Sequence, residues 1–167
     1  EDINISSNTA LTTLNLSNGS TDTDGELDVT VGAGQTLNLS QFIDGDTAND
    51  GTNQGDLEIE SAAAVTSVSI GVSQVGAAAS VAAGADVDLL INGTGVATLN
   101  LASTGANTNY VAIENAGAAL RTVTLTGAAN LVATTVADGV TAFNGSAATG
   151  NLTASFGSGT DAVTGGS

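Results

Sequence analysis

The sequence predicts an all-β chain wound as a right-handed parallel β-solenoid with irregular coils. Three observations carry that reading. A short strand-like pattern recurs at intervals that suit one coil each. Within each copy, apolar residues alternate with small polar ones, which is the period of a half-buried strand. The 167 residues also include 22 Gly, three Phe, one Tyr, no Trp and no Pro, so the interior must be filled by small aliphatic side chains stacked regularly.

The copies begin at Leu11 (LTTLNL), Gly34 (GQTLNLS), Val65 (VTSVSI), Val96 (VATLNL), Leu120 (LRTVTL) and, more loosely, Val140 (VTAFNG). Successive starts are 23, 31, 31, 24 and 20 residues apart. Alternation puts Leu14 and Leu16, Val68 and Ile70, Leu99 and Leu101, and Val123 and Leu125 on the inner face. Asn15 and Asn38 then face outward. Thr, Val and Ile fit a pleated surface, and the many Gly, Asn and Ser supply turns. The Ala-rich stretch from Val75 to Ala85 could form a helical turn or two, although Gly76 and Gly84 interrupt it. Because the spacing is uneven, an antiparallel β-sandwich is the alternative architecture. Tyr110 and the three Phe are expected in the core or as caps, and Arg121 on an exposed strand position.

Two regions differ in tone. Residues 1–60 form an acidic strand and loop region continuous with the rest, and residues 61–167 a region of strand repeats leading into a Gly-rich turn. Thr21 to Glu60 holds ten of the seventeen acidic residues. The formal net charge is −16, with Arg121 the one basic side chain. Nucleic acid is an unexpected partner for such a chain, because phosphate must be neutralised by Lys or Arg. No apolar run approaches the roughly 20 residues of a membrane span. The start at Glu1 without a leader-like run reads as a processed or excised segment.

Composition also narrows the chemistry. Without His or Cys the commonest general base, the thiolate nucleophile and the usual transition-metal ligands are missing. Oxygen ligands remain, and these suit hard cations such as Ca2+. Catalysis by paired carboxylates would need aromatic platforms for a sugar substrate, so the chain is not expected to be an enzyme. The candidate calcium ligands are Asp22, Asp24 and Asp28 in DTDGELD, Asp44, Asp46 and Asp50 in DGDTANDG, and Asp161 near the C-terminus. Two further clusters, Asp56/Glu58/Glu60 and Asp86/Asp88, read as solvated faces or additional donors. Self-repulsion among so many carboxylates calls for cations from a saline or calcium-rich exterior.

Gly157-Ser158-Gly159-Thr160-Asp161-Ala162-Val163-Thr164 fits G-x-G-x-D-x-U-x, with U aliphatic. This resembles the calcium-binding nonapeptide of repeats-in-toxin proteins, except that Phe156 stands where that family has its first Gly. Together with the Thr/Ala/Gly/Val-rich tracts LRTVTLTGAANLVATTV and VATLNLASTGANTN, it gives residues 60–167 the cadence of bacterial surface-layer proteins secreted by the type I route. The resemblance implies calcium held between successive turns, with Asp161 as a ligand and Val163 entering the core.

The expected function is a structural building block of an extracellular, cell-surface layer or fibre, self-assembling with calcium. The alternative is a stalk or binding segment of a large adhesin. Copies of the chain are the expected partners, with a cell-surface polysaccharide engaged through another part of the parent protein. Thr pairs such as Thr122 and Thr124 do not recur in register along the chain, which counts against an ice-binding face.

Overall fold

The structure, a computed structural model, describes residues 2–19, 27–42, 57–62, 64–77, 86–117, 119–157 and 161–166. Within them, fourteen strands alternate between two sheets of seven. Sheet A contains β1 (Asp2–Asn4), β3 (Leu27–Val31), β5 (Leu57–Ser61), β7 (Val87–Asn92), β9 (Asn109–Asn115), β11 (Leu131–Val136) and β13 (Leu152–Phe156). Sheet B contains β2 (Thr13–Ser17), β4 (Thr36–Ser40), β6 (Ser67–Ser73), β8 (Thr98–Thr104), β10 (Thr122–Gly127), β12 (Ala142–Ala148) and β14 (Ala162–Thr164). Every neighbouring pair is parallel. The described residues therefore form a parallel β-solenoid of seven coils, each built from one strand of either sheet, and the antiparallel sandwich is set aside. Among the described residues no helix is long and apolar enough to cross a membrane.

All six copies seen in the sequence lie on sheet B. Their uneven spacing reflects connections of different length, while the strands align from motif to motif, with one register shift between β10 and β12 after Thr124. Inward rows run along the rod. On sheet B, Leu14, Leu37, Ile70, Leu101 and Leu125 are successive partners. On sheet A, Leu27, Leu57, Leu89, Ile113, Val136 and Phe156 are. The two sets meet as one core, in which Val68, Ile70, Leu99, Leu101, Val123 and Leu125 are buried as the alternation predicts. Leu14 and Leu16 are only partly buried, because β2 is the edge strand of sheet B among the described residues. The stretch expected to be weakly helpful to a helix, Val75 to Ala85, lies outside the described residues beyond Ala77.

Repeated corners turn each coil. Hydrogen bonds from Gln35 N–H to Gly32 O, Val65 N–H to Ala62 O, Val96 N–H to Gly93 O and Val140 N–H to Ala137 O close equivalent four-residue turns between sheet A and sheet B. Gln35 occupies the place where other coils put buried Val65, Val96 and Val140. Its Nε2 donates to the carbonyls of Ile5, Asn8 and Leu11 at 2.9–3.0 Å, and its Oε1 accepts from Gly32 N–H at 2.7 Å. One amide thus holds the longer first turn to the second. On leaving sheet B the chain passes through left-handed residues: Asn18, Gln41, Gln74 and Gly105 follow β2, β4, β6 and β8 in the same register. Gly127 does this for β10 at φ 102°, and a Cβ there would run into the backbone of Ser103. Only glycine fits both conditions.

Phe42 and Phe143 are buried. Phe143 of β12 meets Phe156 of β13 edge-to-face, with centroids 5.6 Å apart and planes at 83°. Tyr110 is half-buried on the outer side of β9. Val163 continues the inward row of Val123 and Phe143 but remains 50% exposed, because β14 is the edge strand of sheet B. Arg121 is exposed just before β10, and its Nη1 donates to the carbonyls of Leu120 at 2.9 Å and Gly139 at 3.4 Å.

Candidate functional site

A solenoid of this kind presents two broad outer faces, and alternation decides which residues reach them. On sheet A the outward residues of β1, β3 and β5 stack Asp2, Asp28 and Glu58 as direct partners. The next outward row stacks Asn4, Thr30, Glu60 and Asn92. Parallel in-register pairing therefore sets carboxylates about 4.8 Å apart, a spacing at which like charges repel. Neutral donors relieve part of this. Thr30 Oγ1 donates to Glu60 at 3.2 Å, and Asn92 Nδ2 donates to Glu58.

Asp28 is the least satisfied member. Its Oδ1 is shut off from solvent and has no hydrogen-bond partner. Burial pushes its carboxyl above the usual carboxylate range, and a side-chain hydrogen bond with Asp2 and the charges of Glu58, Asp2 and Glu60 push the same way. A raised carboxyl binds protons more tightly folded than unfolded. Its contribution to stability is present below the ordinary carboxylate pKa and is lost as pH rises through the folded value. Asp28→Asn should therefore raise the melting temperature in chelator at pH 7, by about 1–3 °C for a group still partly solvated. The gain should disappear below about pH 4, where the wild-type carboxyl is itself protonated. Paired thermal melts at the two pH values check this; an equal gain at both would show that charge is not the cause.

Sheet B is the opposite in character. Its seven strands contain no Asp, Glu, Lys or Arg. One outward row runs Thr13, Thr36, Ser69, Asn100, Thr124, Asn144 and Thr164 along the whole sheet. The neighbouring row runs Asn15, Asn38, Gly71, Ala102 and Thr126. Asn38 Nδ2 donates to Asn15 Oδ1 at 2.9 Å, and its own Oδ1 lies over Gly71, where a Cβ would collide with it. The small residues Gly71 and Ala102 leave shallow troughs bordered by Asn38, Ser69, Asn100 and Thr126 on one side and by Ser40, Ser73 and Thr104 on the other.

No family model matches this sequence, and the searches of curated proteins and of solved structures likewise found no match.

Of the candidate calcium ligands, Asp22, Asp24, Asp44, Asp46 and Asp50 lie outside the described residues. Asp28 is on the outer face of sheet A beside Asp2 and Glu58. Asp161 precedes β14, at the far end of the rod, so the fold does not bring these two together. Among the described residues no three acidic side chains are grouped so as to hold a metal ion. Asp86 is buried and accepts a hydrogen bond from Thr134, which sits at a register shift in β11; it ties coils together. The acidic stack of Asp2 with Asp28 escaped the sequence reading because register across a long connection is not visible there. The uncharged outer face of sheet B had a signal: the repeated copies contain one charged residue, Arg121, which lies ahead of its strand.

Proposed function

We propose that the chain is a structural building block of an extracellular surface layer or fibre, assembling through its own copies with calcium bound by acidic segments. The observation that carries this reading is the stack of Asp2, Asp28 and Glu58, with Glu60 in the adjacent row, on one face of a repetitive rod whose other sheet has uncharged strands. A chain with seventeen acidic residues and one Arg has no internal counter-charge for such a face, so cations must come from solution. The donor chemistry at Asp28 fits a hard cation: an oxygen without a partner, beside a second carboxylate. Asp22, Asp24, Asp44, Asp46, Asp50 and Asp161 are the further donors in this reading. The cadence of surface-layer and repeats-in-toxin sequences supports it from the sequence side, and a regular stack of parallel coils suits a structural unit.

Calcium should raise thermal stability. A ligand that binds only the folded state at a hundred times its Kd adds about 2.7 kcal/mol. Melting in chelator and in millimolar calcium, at constant magnesium, tests this, and unchanged melting removes calcium from the reading. Light scattering against calcium concentration tests assembly. Ordered growth that weakens when Asp44, Asp46 and Asp50 are replaced together by Asn supports a calcium-bridged layer. Single rods at high protein and calcium concentration support the adhesin stalk instead.

A further inference from the structure

We propose that the outer face of sheet B is a contact surface for the same face of a second copy of this chain. The inference rests on the assembly reading above, but it uses the opposite face and no calcium. It begins with charge. Two copies at −16 repel, and the repulsion is worst where carboxylates meet at contact distance. The seven strands of sheet B carry no charged residue, so here two copies can touch without an ion between them.

Periodicity singles out the partner. The outward rows repeat at the strand spacing, about 4.8 Å, and only a ligand with the same repeat can match them over the length of the sheet. A second copy has that repeat by construction. Ser and Thr hydroxyls and Asn amides each donate and accept, so a shift by a whole strand still pairs donor with acceptor. The mixed Thr, Ser and Asn rows would satisfy a uniform hydroxyl lattice less well.

Size agrees with a weak, repeated contact. Seven strands of five to seven residues, apart from three-residue β14, make a face of about 29 by 20 Å. A face-to-face pair would bury about 1,200 Å2 in total, at the lower end of the range for stable interfaces. The troughs beside Gly71 and Ala102 lower the centre of the face, so the taller Asn and Thr side chains of a copy can enter it.

Sedimentation velocity in chelator and about 1 M NaCl, where the Debye length is about 3 Å, is the test. The wild-type chain should dimerise as protein concentration rises. The double variant Asn100→Glu, Thr124→Glu, checked for native circular dichroism, should raise the dimer Kd by about a hundredfold or more, since it buries unpaired carboxylates within the contact, where salt screens them little. Thr153→Glu, outward on sheet A, should leave the Kd unchanged. If the double variant fails to fold, single-cysteine variants decide, because the chain has no Cys of its own. Asn100→Cys should cross-link between copies with a short bis-maleimide, and Thr153→Cys should not. A wild-type chain that stays monomeric throughout, a double variant that dimerises like wild type, or equal cross-linking at both cysteines would overturn the proposal. A monomer retained on an insoluble uncharged polysaccharide would also overturn it and give the face to that polymer. Dimerisation in chelator with no calcium-dependent scattering would sink the calcium bridge and leave this contact standing; calcium-driven growth unaffected by the double variant would do the reverse.

Discussion

Replacing Asn109 with Leu should cost about 3–5 kcal/mol and lower the melting temperature by about 10 °C. Asn109 opens β9, has no solvent exposure and sits in the corner where the fourth coil hands over to the fifth. Its Oδ1 accepts from Val75 N–H at 3.0 Å. Its Nδ2 donates to Ser103 Oγ at 2.8 Å and Thr104 O at 3.1 Å, with Val72 O at 3.4 Å. Leu has the same branched heavy-atom skeleton and is somewhat larger, so no cavity is left and any misfit adds to the cost. What remains is the cost of leaving the Val75 N–H and the Thr104 carbonyl unpaired in a dry corner, about 1–3 kcal/mol each, with Ser103 losing a partner as well. Denaturant unfolding of the two proteins gives the difference. A loss below about 1 kcal/mol would mean that water reaches the corner and that the amide is not its pin.

The second large effect is expected at Phe143. Truncation to Ala should remove about 3–5 kcal/mol, the range for large aromatic residues in cores. The ring fills the row between Val123 and Val163 and meets Phe156 edge-to-face. Its neighbours towards the C-terminal edge are already half-exposed and have little material with which to fill the gap. In a stacked array each coil depends mainly on its immediate neighbours. The loss should therefore be local: hydrogen exchange should quicken across β12, β13 and β14 while β4, β6 and β8 keep their protection. Uniform acceleration along the whole rod would contradict the coil-by-coil picture. Phe156→Ala should cost less, because that ring is only partly buried.

Asn109 and Phe143 also mark how much could be read before folding. Phe143 belongs to the recurrent pattern VTAFNG, and its inward orientation follows from alternation alone. The same holds for Ile70, Leu99 and Val123: a one-residue slip would expose a whole strand, so burial of one face dictates orientation. Sheet A was harder to see. Its strands LDVTV, LEIES, VDLLIN and NYVAIEN alternate too, but one outward row changes from Asp28 to Glu58 to Leu90 to Glu114, so no common motif marks them. Asn109 looked like any turn residue. Two of its four contacts, with Val75 and Val72, lie 34 and 37 residues away and exist only because coils stack.

The sequence by itself determined that the chain is built of short half-buried strands, that its core is aliphatic, and that its charge is overwhelmingly acidic; composition and period-2 alternation are local and need no partner. The tertiary structure decided how those acids are distributed. Connections of differing length still deliver each strand to the same register, and that register brings Asp2, Asp28 and Glu58 together on sheet A. It also leaves sheet B with rows of Ser, Thr and Asn and no charge. The reason is geometric: side chains far apart along the chain become neighbours about 4.8 Å apart only when parallel strands pair, so faces are a property of the stack.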